Sequence, residues 1–295
     1  MLNIDIMSLL LANLNEERLK KLISDLYWYQ TIEFPNNIIT RATYNHKPYL
    51  KFYGFPNSLK DMSVLDVGAG DGFFSFEFER RGAQKVLAID TNKFDGSMAI
   101  DPSPSKIQNY ILKYSIYKTL CKEYYDVFNL LKTLGLNQLL IAKDLLNSNI
   151  NYQNFSIYDL DLLEKKFDFI FCGDLLQHLK SPLLALENLV SVTKKFCIIS
   201  LGSSISKIQK PFATFKKYFT KVLKKFLLPD IIDPKYSVKY IGNESGGAFF
   251  FWHPYSFREA LYASGFKKVI IYSEFDLPNL RRRTINSHTI FHCYV

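Results

Sequence analysis

The sequence predicts an α/β fold, a Rossmann-like sheet with helices on both faces. Two observations carry that expectation. The aliphatic run Val64-Leu65-Asp66-Val67 breaks into Gly68-Ala69-Gly70-Asp71-Gly72, where alternate glycines supply the positive φ needed to bend a chain sharply off a strand. Phe73 and Phe74 then open a helical stretch, and Val86-Leu87-Ala88-Ile89-Asp90 returns as a second strand closed by an acid.

A turn without Cβ atoms lets a ligand lie against the backbone, and the amides opening the next helix face it. Asp90 ends its strand at the same edge, where a carboxylate can accept from the vicinal hydroxyls of a ribose. The glycine spacing is G-x-G-x-G, with Asp66 two residues before the first glycine. A pyrophosphate would be repelled by that carboxylate, whereas the cationic amino group of a methionine moiety would be attracted. The alternative is another Rossmann-like nucleotide site. The pattern resembles motif I of the class I S-adenosylmethionine-dependent methyltransferases, which implies S-adenosylmethionine as cofactor and a seven-stranded methyltransferase sheet with its last strand antiparallel. Donor contacts are then expected from Asp66, Gly68, Ala69, Gly70, Phe73, Asp90 and Thr91.

Composition fits an enzyme: 295 residues with 48% hydrophobic side chains can bury a full core. Met1 to Ala12 is interrupted by Asn3, Asp5 and Ser8, so no signal peptide is expected, and no stretch reaches membrane-spanning length; a cytoplasmic protein is the expectation. Four cysteines, Cys121, Cys172, Cys197 and Cys293, lack CxxC spacing and read as buried thiols. No metal is expected, since Asp168 and Asp174 alone do not make a site. The net charge of +9 fits an anionic partner such as RNA and equally a solvated lysine surface.

Residues 1–60 precede the cofactor strand and read as a helical and aromatic cap, with Met7, Leu10, Leu11, Leu14, Leu19, Leu22 and Leu26 near helical spacing. The cap ends in Tyr27-Trp28-Tyr29-Gln30-Thr31-Ile32-Glu33-Phe34-Pro35, a run suited either to packing or to covering the site. The remainder, 61–295, is the methyltransferase domain, with insertions at about 99–150 and 203–248. Residues 105–149 are expected to form two or more helices. Phe155 to Leu160 reads as the third strand, its Tyr158, Asp159 and Leu160 placed to contact adenine; Asp159 could instead cap a helix.

Phe167 to Cys172 is the fourth strand, running into Gly173-Asp174-Leu175-Leu176-Gln177-His178. Chemistry in open α/β folds lies past such carboxyl ends. Gly173 joins the donor site, and His178 is either the catalytic base or orienting group, or a structural hydrogen-bonding residue. Pro182 starts a helix running through Leu183 to Val190, and Phe196 to Leu201 is the fifth strand. From Lys207 to Leu228 an amphipathic helix carries Lys216, Lys217, Lys221, Lys224 and Lys225; it reads as a lid, an RNA contact or, over 212–228, a membrane-surface contact. Gly242 to Gly247 is a mobile turn. Phe249 to Pro254 leads into a helix ending at Gly265, and Lys268–Tyr272 and Thr289–Val295 are the last strands. Tyr29, Trp252 and His253 are the expected acceptor pocket.

The combination of Tyr29-Gln30-Thr31-Ile32-Glu33, the Gly173 to His178 loop, Ser181-Pro182-Leu183 and Trp252-His253-Pro254 resembles the methyltransferase group related to the bacterial tRNA wobble-uridine carboxymethyltransferases. In that branch a lysine, a tyrosine and an arginine hold the extra carboxylate of a modified donor; the matching positions here are Tyr29, Gln177 and His288. The clamp is absent or rebuilt from Lys47, Arg41, Arg281, Arg282 or Arg283. Ordinary methyl transfer to oxygen, nitrogen or carbon of a small-molecule metabolite is the preferred expectation. A tRNA wobble-uridine (carboxy)methyltransferase is the alternative, and a non-catalytic interaction protein on the same fold the third reading.

Overall fold

The computed structural model describes residues 11, 14–91, 138–203, 238–245 and 248–295. The basic stretch 207–228 and most of the 99–150 insertion, Cys121 included, lie outside the described residues.

Helix α1 (Glu16–Asp25) is capped by Asn15, whose side chain accepts from the Arg18 amide at 2.9 Å, and buries Leu22 and Ile23. Strand β1 (Trp28–Gln30) follows, then the short hairpin β2 (Glu33–Phe34) and β3 (Ile38–Ile39), then β4 (Ala42–Tyr44), which pairs in parallel with β1. Trp28 is fully buried and its indole N–H donates to the Ile23 carbonyl at 2.8 Å, tying α1 to β1. The short helix α2 (Leu50–Tyr53) leads into the main sheet.

That sheet is built from β5 (Ser63–Val67), helix α3 (Phe73–Arg80), β6 (Lys85–Asp90), helix α4 (Gln138–Leu145), β7 (Asn151–Asn154) and β8 (Phe167–Gly173). The chain continues through helix α5 (Pro182–Val192), β9 (Thr193–Ser203), a hairpin of β10 (Val238–Ser245) and β11 (Ala248–Trp252), and helix α6 (Pro254–Ala263). Strands β12 (Lys268–Asn279) and β13 (Thr284–Tyr294) end it. The seven strands lie in the order β12-β13-β9-β8-β5-β6-β7. All neighbours from β7 to β9 are parallel, and β13 runs antiparallel between β9 and β12. The methyltransferase sheet with its last strand antiparallel is therefore present.

Successive residues of each strand face opposite layers. Leu65, Val67, Ile170 and Cys172 point into a core closed by α5 and α6, through Leu186, Leu189, Phe257 and Leu261. Val64, Phe169 and Phe171 point into a second core closed by α3 and by Tyr53, Phe55 and Leu59 of the amino-terminal segment. This second layer is mostly aromatic. The Phe171 ring lies 4.6 Å from Phe74, 5.2 Å from Phe55 and 5.7 Å from Phe78.

Four expectations need correction. The third strand is Asn151–Asn154, not Phe155–Leu160. As the edge strand of the sheet it is polar and carries no apolar signal. The segment Ile157–Leu163 is a 3-10 helix, because Ser156 accepts from the Tyr158 amide and Ile157 and Leu160, three apart, fall on one buried side. Of the turn expected over Gly242 to Gly247, residues 242–245 are strand, with Gly242 in β10 at φ +60° where the β10–β11 register shifts, and residues 246–247 lie outside the described residues. The last two strands are also longer than their apolar cores, since polar residues continue the ladder to Asn279 and back from Thr284.

Phe171→Ala should destabilise the fold by roughly 3–5 kcal/mol, the usual result of emptying a fully buried aromatic site. Urea unfolding measures it; a loss under 1 kcal/mol would show that the aromatic layer is not a packed core.

Candidate active site

The glycine turn sits at the carboxyl end of β5. Gly68, Gly70 and Gly72 have φ of +74°, +57° and +91°. The amides of Gly68 and Ala69 both donate to the Ile89 carbonyl, at 2.9 and 3.1 Å, and the Gly70 amide donates to Asp90 Oδ2 at 2.6 Å. The turn is thus clamped to the end of β6.

Asp66 and Asp71 extend the clamp. Asp66 is 1% exposed and accepts from the Ser75 hydroxyl at 2.5 Å, so it joins β5 to the first turn of α3. Burial pushes its carboxyl up to about 7, against the Ser75 hydrogen bonds that favour ionisation. Its carboxylate is committed to Ser75, which gives it a role in holding the turn. Asp71, which sequence reasoning missed, accepts from the amides of Tyr29 at 2.5 Å and Gln30 at 2.8 Å. The Gln30 side chain in turn accepts from the Phe73 amide at 3.1 Å, satisfying an open N–H of α3. The signal for this pair was present, an acid inside a glycine motif and an amide in the aromatic run.

Beside the turn lies a crevice of about 250 Å³ including its open mouth, lined by Val67, Gly68, Ile89, Asp90, Thr91, Phe155, Ile157, Leu175 and Leu179. Phe155 and Ile157 line it, whereas of the expected adenine contacts Leu160 is fully buried in the core. Tyr158 faces α5, its hydroxyl accepting from the Ser181 amide, and Asp159 belongs to the 3-10 turn. Gly173 closes β8, where an added Cβ would stand 2.8 Å from the Phe171 ring. Phe73 and Ala69 bracket the turn, the Ala69 side chain packing into the aromatic layer.

Past β8 a polar cluster is buried among the aromatics. Asp174, at φ +51°, accepts from Ser200 Oγ at 2.7 Å through one oxygen and faces His288 Nε2 at 2.9 Å through the other. His288 Nδ1 lies 3.1 Å from the Asn286 carbonyl, and its ring stacks on Phe275. Burial works to lower the His288 value, but the Asp174 charge and hydrogen bond outweigh it and raise it above the ordinary value. For Asp174, burial is the largest single influence and pushes the carboxyl up, but the His288 charge together with the hydrogen bonds from His288 and Ser200 holds it low. Tyr29 packs edge-on against Tyr44 at 5.0 Å, and both feel the Asp174 charge. His46 is 3% exposed, pairs through Nδ1 with the Tyr53 hydroxyl at 3.0 Å, and is lowered to about 3 by burial.

The expected acceptor trio is not brought together. Tyr29 belongs to the aromatic layer, whereas Trp252 packs in the opposite core on Phe250 and Phe257. His253 caps α6, its Nδ1 accepting from the Tyr255 amide at 3.4 Å. His178 ends a 3-10 turn, Leu176–His178, half-buried against β11.

Residues 40–269 match the family model described as a methyltransferase domain. The chain belongs to that family. The methyltransferase is similar, at 14% identity and a TM-score of 0.56, to the N-terminal domain of EvdMO1 solved in the presence of SAH and D-fucose, with 96% of this chain and 97% of that one covered. The same domain with SAH bound aligns at a TM-score of 0.52 over 96% of this chain and 98% of that one. The methyltransferase is also 23% identical, over 216 residues and 73% of its length, to a tRNA U34 carboxymethyltransferase of Campylobacter lari, of which it spans 55%.

The methyltransferase's donor is S-adenosylmethionine, and the residues present fit it. The Asp90 carboxylate borders the crevice, Ile89, Phe155, Ile157 and Leu175 offer apolar faces to a purine, and the glycine turn offers bare backbone to the methionine portion. Among the described residues no helix is long and apolar enough to cross a membrane.

Asp90→Ala removes the carboxylate that borders the crevice together with the Gly70 clamp, and Gly70→Leu forces a branched side chain onto φ +57°. Each should weaken S-adenosylhomocysteine binding at least tenfold by isothermal titration; unchanged affinity in folded variants would disprove the site. The Asp174–His288 pair sets a pH window. Its contribution is complete between the ordinary values of 3.8 and 6.5, fades as pH rises through the elevated His288 value, and fades again as pH falls through the depressed Asp174 value. By histidine-ring NMR, His288 should titrate above 6.5 while His46 stays neutral to about pH 3; a His288 midpoint at or below 6.5 would contradict the pairing.

Proposed function

We propose that this enzyme methylates a small molecule enclosed between the donor crevice and the amino-terminal segment. The observation that carries the reading is the double hold of Asp71 on the Tyr29 and Gln30 amides, which lays β1 across the glycine turn. A site covered this closely by its own chain favours a compact acceptor over a folded RNA. The EvdMO1 domain, which aligns end to end, was solved with D-fucose, in keeping with such an acceptor.

The bound sulfonium supplies an electrophilic methyl group. The work left to the chain is alignment and exclusion of water. Asp90 and the glycine turn hold the donor, with Asp66 and Asp71 fixing the turn. Leu175, whose side chain would stand 3.1 Å from a Cβ at Gly68, closes the crevice from the β8 side. His178 lies three residues on, a spacing that aligns side chains in a 3-10 turn, and we assign it to orienting the acceptor.

A tRNA acceptor is the second reading, supported by the relative named for tRNA U34 and by the +9 net charge. A carboxylated donor is disfavoured by the surroundings of His288 and of two candidate substitutes: the His288 charge is taken by Asp174, Lys47 pairs with Glu33 at the surface, and Arg281 donates to the Arg41 carbonyl.

Incubating the enzyme and methyl-labelled donor with separated RNA and small-metabolite fractions of the native cell should put label in the metabolites, with rates nearly independent of salt. Label confined to RNA, with a steep fall in binding as salt rises, would overturn the reading.

A further inference from the structure

Two atoms of the polar cluster beside the donor turn have no hydrogen-bond partner: Gln177 Oε1 and His46 Nε2. Both residues are more than nine-tenths buried, at 7% and 3% exposure. The Gln177 amide is fixed in orientation, because its Nε2 donates to the Asp174 carbonyl at 2.8 Å, a bond that only the NH₂ end can make. Its oxygen is left as an acceptor in want of a donor. Gly202, in register with His288, permits the crowding: a Cβ there would stand 3.2 Å from Gln177 Nε2 and 3.3 Å from Asp174 Oδ1. Leaving a buried polar atom unpaired costs about 1–3 kcal/mol, so two in one cluster call for a partner that supplies hydrogen bonds.

The surroundings define its charge. Asp174 and His288 face each other at 2.9 Å and neutralise one another. An anion would meet the Asp174 carboxylate and the Gln177 carbonyl, both electron-rich. An ammonium group would find the carboxylate already matched by an imidazolium. A hydroxyl group donates to Gln177 Oε1 and, being both donor and acceptor, suits His46 Nε2 in either tautomer. Tyr29, half-buried beside this cluster, supplies apolar ring surface against which the C–H face of a ring can lie.

Building on the small-molecule reading, we propose that Gln177 and His46 recognise the acceptor and that this acceptor is a neutral, hydroxyl-rich small molecule of the sugar class. The test resolves the metabolite fraction by ion exchange into neutral, anionic and cationic pools before adding enzyme and labelled donor. Label should enter the neutral pool. Gln177→Met, which keeps the length of the side chain and removes its carbonyl, should raise the apparent KM for that pool about tenfold, with kcat and S-adenosylhomocysteine affinity nearly unchanged; His46→Phe should do the same. Label in the anionic or cationic pool overturns the proposal and leaves the small-molecule reading standing. Label in RNA, or in no fraction, overturns both. A KM unmoved in both variants, the result if ordered water alone fills the two atoms, also overturns it.

Discussion

Three carboxylates hold one turn of backbone, and the rest of the molecule is arranged around that hold. Asp90 fixes the Gly70 amide to β6, Asp66 fixes the first turn of α3 to β5, and Asp71 fixes β1 over both. Each acid is buried enough for burial to lead its titration, and Asp90 works against ionisation of both Asp66 and Asp71. Hydrogen bonds to charged groups contribute about 1.5–3 kcal/mol apiece, comparable to one or two units of pKa. They offset the burial only in part, which is why Asp66 rests near 7 and Asp71 near 6. Gly70, at φ +57°, turns its amide onto Asp90, so one glycine of the motif serves an acid of the clamp directly.

The same hold explains the division of labour between the two faces. The α5–α6 face is an aliphatic core of ordinary kind, and Trp252 belongs to it as packing. The other face is aromatic because the amino-terminal segment must be anchored there while leaving polar groups at the sheet's edge. Rings offer large apolar area together with hydroxyl and imidazole tips. Tyr53 shows both uses: its ring stacks on Phe55 at 5.2 Å and its hydroxyl meets His46. The cluster of His46, Asp174 and His288 is therefore set into a hydrophobic layer, where an unpaired polar atom is expensive and a paired one is rigid.

What could be read from the sequence was whatever local chemistry fixes locally. The glycine turn, Asp90 at a strand end, Pro182 at a helix start and the apolar runs of β5, β6, β8 and β9 each carry their signal within a few residues. The third strand failed because an edge strand need not be apolar, and its neighbour Phe155–Leu160 looked more like a strand than Asn151–Asn154 does. The acceptor region failed for a different reason. His46, Asp174 and His288 lie 128 and 114 residues apart along the chain and meet only because β13 inserts beside β9 and the amino-terminal segment folds back over β5. His253 near Trp252 was a local pattern with a local use, capping a helix.

Net charge and site charge also part company here. A formal +9 spread over the chain shapes long-range encounter, whereas selection among acceptors is made within a few ångströms, where charges are paired and water is excluded. At that range the decisive groups are an acid cancelled by an imidazolium and a carbonyl without a partner, and neither is visible in the composition. Lys194 and Lys195 are exposed and gather on Asp168, beside Ser63 at the amino end of β5, the opposite edge of the sheet from the donor turn. A basic protein can thus hold a charge-balanced cluster, and the acceptor we propose rests on that cluster and not on the total charge.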